Sequence, residues 1–418
     1  MREDGPTAVV GVPPSRRRST GRAAFAYAVL GLALGLALVA RVATIPGGGD
    51  EWTTGDWLVN YANGFVRRGL FGELFLALGP GGGPGALWVL LGIQLLCYGI
   101  VLAYAVQLLH RTDYEWSSIA LVCGPAAVPF IGWDTSGGFG KEILVLVVLA
   151  LLAWSRRPHR SDVGVLVLIG LAFGVWVVAV FSWEPTVLLF PAVVHLLWAS
   201  DRRLLVPRRT AVAVFGAVAA VGGLLSLLAP GDVPTSVAIC ESVRANGFLG
   251  PELCTSQVAG GGTGGIAAIG WTWSQMTRGV AASFPLYLGF VPLAGLALLP
   301  TLLSAWFRKH VTWVPVIALA LLPLFLLSPQ YGRWIHLLAM TLMFCATAAD
   351  VHGGASPSWS PLLAVLFVTL WGIPNSLAED TWWEGYGLLM TVLRALIRTV
   401  SSILGVPVDP GLVGPGGL

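Results

Sequence analysis

The chain has 418 residues, 56% hydrophobic and only 11% charged, with a mean hydropathy of +0.79. These values exclude an ordinary soluble domain, and apolar runs of about 17 to 25 residues recur from end to end, the length that crosses a bilayer as a helix. The formal charge of +3 is no nucleic-acid footprint, because the basic residues are accounted for by membrane topology.

Residues 1–22 are rich in Pro, Arg and Ser, with the run Arg16–Arg17–Arg18, and predict a disordered cytoplasmic tail. Ala23 to Thr44 predicts the first span. Its apolar run is longer than a signal-peptide h-region and no small-residue cleavage site follows cleanly, so it reads as an anchor. Next comes DEWTTGDWLVNYANGFVRRGLFGELFLAL, Asp50 to Leu78. A helix over Asp56–Arg67 would place Asp56, Asn60, Asn63 and Arg67 on one stripe. Trp57, Leu58, Tyr61, Phe65 and Val66 would then form an aromatic face suited to lipid or a protein groove. Thr53, Thr54 and Asp56 supply capping groups, and Gly64 is the weak point of this helix. A polar stripe on such a helix is commonly its wet face; acid, amide and guanidinium on one line favour a functional site instead.

After a loop at Pro80–Gly85, further spans are predicted at 86–109, 116–132, 141–155, 163–182, 185–199, 210–229, 284–306, 311–327, 334–349, 360–377 and 384–404. The count is about twelve. Arg394 and Arg398 leave the last open between a span and an interfacial helix. The fold class is therefore all-α, a polytopic integral membrane protein with an external amphipathic helix after the first span. Residues 23–405 form one transmembrane domain with outer loops 45–85 and 230–283, and the Gly/Pro-rich tail 406–418 is flexible.

Arginine placement fixes the orientation. With the N-terminus cytoplasmic, the inner loops hold Arg111, Arg156, Arg157, Arg160, Arg202, Arg203, Arg208, Arg209, Arg308 and Lys309, as the positive-inside rule requires. Arg67–Arg68 falls outside, against that trend, and so has a local reason to be there. Acids gather on the outer side, among them Asp50, Glu51, Asp56, Asp134, Glu142, Glu184, Asp232, Glu241, Glu252, Glu379 and Asp380. Cys240 and Cys254 share the longest outer loop, where a disulfide suits an oxidising compartment. The six His residues have no metal-ligand spacing.

Asp134 and Lys141–Glu142 bracket the glycine-rich loop WDTSGGFGKE. Neighbours on a helix point about 100° apart, so Lys141 and Glu142 are not simply each other's partner. Glu184 before Pro185 reads first as ordinary helix capping. In SPQYGRWIH, Gln330, Tyr331, Arg333 and His336 stand at the outer end of a span. Arg333 alone would snorkel to headgroups beside Trp334. With Arg67 and Arg68 on the same side, a shared anion site, for which guanidinium geometry is suited, competes with that reading.

An outer site with carboxylates, arginines and apolar walls suits a lipid bearing a phosphate and a polar head. The arginines neutralise the phosphate, and a carboxylate acts as general base on an acceptor hydroxyl. No P-loop or G-x-G-x-x-G turn is present. One long N-terminal span followed by an outer loop with paired acids resembles the GT-C class of integral membrane glycosyltransferases. Asp50–Glu51 stands where that class carries its acidic motif, with Asp56 a second candidate. The segment NYANGFVRRGLFGE, Asn60–Glu73, also resembles a motif of bacterial polytopic proteins associated with surface polysaccharides. The chain lacks the large soluble C-terminal domain of many GT-C enzymes.

The resemblance implies sugar transfer from a polyprenyl-phosphate donor. Asp50, Glu51 or Asp56 would be base or divalent-metal-orienting acid, and Arg67, Arg68 and Arg333 the phosphate ligands, with Lys141 and Glu142 lining the cleft. Two other classes stay open. A transporter or flippase is favoured by His195 and the proline-interrupted spans near Pro125–Pro129 and Pro315–Pro323, though no internal repeat is visible. A non-catalytic cell-envelope component would use Gly260–Gly265 as a contact loop. Lysine occurs only at 141 and 309, and this arginine-heavy, Ala/Gly/Pro-rich composition suggests a GC-rich bacterial genome.

Overall fold

The computed structural model describes residues 20–79, 83–133, 138–157, 161–198, 207–250, 295–328, 330–348 and 359–373, with isolated positions between 253 and 288 and from 387 to 396. Within them the chain is all-helical, and no strand is present. The helices are α1 (Thr20–Thr44), α2 (Leu70–Ala77), α3 (Pro84–Arg111), α4 (Trp116–Cys123), α5 (Phe130–Trp133), α6 (Glu142–Ser155), α7 (Asp162–Ser182) and α8 (Phe190–Trp198). They continue with α9 (Arg208–Leu228), α10 (Val233–Ala245), α11 (Leu299–Leu302), α12 (Ala305–Lys309), α13 (Trp313–Leu327), α14 (Tyr331–Ala348) and α15 (Pro361–Thr369).

Local chemistry sets many of these ends. Pro84 opens α3, and His110 and Arg111 close it, where positive charge meets the carbonyl end of the helix. The Ser161 hydroxyl accepts from Gly164 N at the start of α7. Asp232 caps α10 and Ser360 caps α15 in the same way.

Two helices form the centre. All of α6 except Trp154 is buried, as is α14 from Tyr331 through Cys345. A helix apolar all round belongs inside a bundle. α6 packs on α3, α7, α8 and α14. Around this centre stand α1, α3, α7 and α9, each long and apolar enough to cross a membrane. Their outward faces expose Val39, Leu96, Val163 and Leu224, a surface that water does not favour over so wide an area.

Several expectations are corrected. The predicted span 116–132 is interrupted: α4 stops at Cys123, and Pro125 and Pro129 fall in turns before α5. The span at 185–199 begins as a 3₁₀ turn, Glu184–Leu189, before α8 takes over. The amphipathic helix at Asp56–Arg67 does not form. A 3₁₀ turn covers only Asp56–Leu58, and the chain then runs without helix to Gly69. Gly64 sits at φ +86° and Arg68 at φ +71°, both outside helical space. Trp57, Leu58 and Val66, expected on a face suited to lipid or a protein groove, are buried in the protein core. Residues 285–287 and 289–294 of the predicted span 284–306, and all of the tails 1–19 and 397–418, lie outside the described residues.

Candidate functional site

The turn after α1 is built by Asp50. Its carboxylate accepts from Trp52 N at 2.9 Å and Thr53 N at 2.7 Å, and from the Thr53 hydroxyl. This caps a π-type turn over Glu51–Gly55. Arg41 approaches Asp50 at 3.8 Å and donates through Nε to Gln94 at 3.2 Å. Gln94 in turn donates to the Thr53 carbonyl at 2.8 Å and the Phe139 carbonyl at 3.1 Å. Trp57, fully buried, donates through Nε1 to the same Phe139 oxygen at 2.6 Å. The outcome of this local order is the position of Asp56.

Asp56 lines a cavity of about 440 Å³. Its charged end is made by Asp56, Arg67, Arg68, Glu184 and Arg333. Its other walls are apolar, from Val187, Leu188, Leu227, Pro323, Leu324 and Leu327. Leu227 is 79% exposed, so the apolar end opens to the surface beside α9. Three guanidinium groups against two carboxylates leave the lining with one positive charge.

The groups are held firmly. Arg68 grips Glu184 in bidentate fashion, Nε at 2.6 Å and Nη2 at 2.7 Å, the strong geometry for this pair. Arg67 stands 3.5 Å from Glu184, and Arg68 is 3.7 Å from Asp56. Arg333 pairs with Glu142, donates through Nη1 to Gln330 Oε1 at 3.2 Å, and lies over the rings of Trp183 and Trp334 at 5.8 and 5.9 Å. Lys141, completely buried, donates to the Arg68 carbonyl at 2.9 Å. Among the cavity-lining residues, Asp56 Oδ1 and Arg333 Nε are buried and have no hydrogen-bond partner among the described residues.

Electrostatics set the state of one lining carboxylate, Glu184. Burial by itself would raise the Glu184 carboxyl, but Arg68 and Arg67 outweigh it and hold it at about 2. Burial lowers Arg67, against the pull of Glu184, whereas at Arg68 burial is overcome by Glu184 and Asp56 and the value rises. Glu184 is thus a fixed anion and a poor proton acceptor. Because its folded value lies below the ordinary 4.5, its contribution to stability is complete above that pH and is lost as pH falls toward about 2. Thermal midpoints measured from neutrality downward are expected to lose the Glu184-dependent part only below about pH 4.5. A Glu184→Gln variant, lacking the carboxylate, is expected to lack that component.

The other candidates divide between this cavity and structural work. Asp50 caps a turn, and neither it nor Glu51 is among the cavity-lining residues. Asn60 closes its own turn, donating to the Leu58 carbonyl and accepting from Ala62 N. Asn63 donates to Thr235 at 3.2 Å. His336 turns away to the Ala126 carbonyl at 3.0 Å and stacks on Phe130. Tyr331 packs on Phe325, outside the lining set. Asp134 and Cys254 lie outside the described residues; Cys240 is buried on α10. No described group of three His, Cys, Asp or Glu is placed to hold a metal ion. Trp52 and Trp183 line the cavity without having been anticipated. The Arg41–Gln94 link was likewise not anticipated, although each of these polar residues stands inside an apolar run of the sequence.

No protein-family model, curated protein or solved structure matches the chain.

Proposed function

We propose that this chain is a GT-C-like membrane glycosyltransferase that moves a sugar from a polyprenyl-phosphate donor to a cell-envelope glycan or lipid acceptor on the outer face of a bacterial membrane. The observation that carries the proposal is the pairing of Asp56 Oδ1, an acceptor without a donor, with Arg333 Nε, a donor without an acceptor, in one cavity with apolar walls. A phosphate satisfies the guanidinium, a hydroxyl satisfies the carboxylate, and an isoprenoid chain suits the apolar end.

In the reaction, Asp56 takes the proton of the acceptor hydroxyl as its oxygen attacks the anomeric carbon. The bond from that carbon to the donor phosphate oxygen breaks, and polyprenyl phosphate leaves. Arg67, Arg68 and Arg333 stabilise the charge that accumulates on the leaving phosphate. Glu184 keeps Arg68 aimed. The about twelve spans, the cytoplasmic N-terminus and a Cys240–Cys254 bridge belong to the same proposal.

The test uses the purified full chain in lipid nanodiscs with a radiolabelled polyprenyl-phosphate sugar and a lipid-linked glycan acceptor. Labelled glycan is the expected product. Counterflow of the labelled donor across proteoliposomes with no covalent product would replace the enzyme by a flippase, and neither activity would leave a non-catalytic envelope component.

A further inference from the structure

The short segment Gly138–Glu142 reaches the charged end of the cavity from several directions at once. The Phe139 carbonyl accepts from Trp57, next to Asp56. Lys141 Nζ donates to the Arg68 carbonyl. Glu142 pairs with Arg333. Between them, Gly140 leaves no room for a side chain, because a Cβ there would run into both the Arg333 guanidinium and the Glu142 carboxylate.

Arg68 carries two demands that conflict. Its backbone is left-handed, φ +71°, where glycine is at ease and a long side chain is not. Yet its side chain is the one that grips Glu184 and approaches Asp56. A non-glycine residue stays in such a conformation only where its surroundings over-determine it. Here they act at both ends: carboxylates on the guanidinium, and the buried Lys141 ammonium on the carbonyl. A buried lysine normally faces a carboxylate; this one reaches a backbone oxygen 73 residues away in sequence.

We propose that Lys141 is a positioning residue that locks Arg68 in its left-handed backbone and so aims the guanidinium before any ligand arrives. The binding part of the claim rests on the lipid-phosphate reading above; the backbone part does not.

A thermal-stability cycle tests the backbone part without ligand. Lys141→Met is expected to lower the thermal midpoint of the full chain in nanodiscs, by roughly several degrees for a lost buried hydrogen bond and its strain. In an Arg68→Gly background, where the turn is at ease, the same substitution is expected to cost less than half as much. Equal losses in both backgrounds overturn the proposal. If Lys141→Met alone fails to accumulate, Lys141→Gln, which keeps a donor for the Arg68 carbonyl, takes its place in the cycle, and equal losses in both backgrounds overturn the proposal in the same way.

Binding supplies a second readout. A short-chain polyprenyl phosphate should bind Lys141→Met about tenfold more weakly than the unaltered protein. Lys141→Met should add nothing to the defect of Arg68→Ala, since it acts through Arg68. An additive loss assigns Lys141 an independent role and overturns the positioning claim. If the unaltered protein binds no polyprenyl phosphate, the lipid reading fails, and the stability cycle alone decides the role of Lys141.

Discussion

Asp56→Asn is expected to abolish sugar transfer while protein levels and the thermal midpoint stay near those of the unaltered chain. The substitution keeps the shape of the side chain and removes its charge and its ability to take a proton, while Arg68 keeps its bidentate partner Glu184. Loss of a general base lowers turnover by about 100- to 10,000-fold, so labelled glycan should fall to background. Arg67→Ala should do the same by a different route, weakening hold on the phosphate. A donor-binding measurement separates them: Asp56→Asn should still bind polyprenyl phosphate, and Arg67→Ala should bind it poorly. Asp50→Asn is the informative contrast. Asp50 caps a turn and does not line the cavity, so its loss should appear in stability, at about 0.5–2 kcal/mol for a cap. Full transfer by Asp56→Asn removes Asp56 from the chemistry.

Glu142→Gln is expected to be among the most damaging single changes to the fold. Glu142 is 2% exposed and Arg333 7%, so removing the carboxylate leaves a guanidinium buried without its counter-charge. Breaking such a pair costs about 3–5 kcal/mol, whereas replacing both members with apolar groups is often close to neutral. The double variant Glu142→Leu/Arg333→Met should therefore recover much of the stability while remaining unable to bind phosphate. Thermal unfolding of the three proteins in the same detergent checks this. A single variant as stable as the parent would mean that water reaches the pair.

The sequence disclosed the participants of this site better than their geometry. Arg67–Arg68 stood out because it broke the positive-inside trend, and the fold brings both to the cavity with Arg333, far along the chain. Glu184 was legible as the start of a helix, and it does open a 3₁₀ turn with Pro185 behind it. Its carboxylate is nonetheless taken by Arg68, a long-range partner that no spacing rule encodes. The helical stripe through Asp56, Asn60, Asn63 and Arg67 reached two lining residues by a wrong path. Periodicity assumes a continuous helix, and the left-handed backbone at Gly64 and Arg68 ends that assumption. Asn60 and Asn63 consequently serve local turns and a neighbouring helix. Hydrogen bonds to backbone oxygens, such as those at Phe139 and Arg68, leave no residue-type signature at all.

The buried helix α6 has a further consequence for the bilayer around the protein. Its run Glu142–Ser155 rises only about 21 Å, against a hydrocarbon thickness of roughly 30 Å. Ionic groups mark both extremities, Glu142 at one and Arg157 just past the other, and both are buried. The helix at the centre is therefore shorter than the four long helices around it, which run 21 to 28 residues. Under the lipid-phosphate proposal, this short centre makes membrane thickness a determinant of how easily a headgroup reaches Arg68, testable by donor binding in nanodiscs of different acyl length.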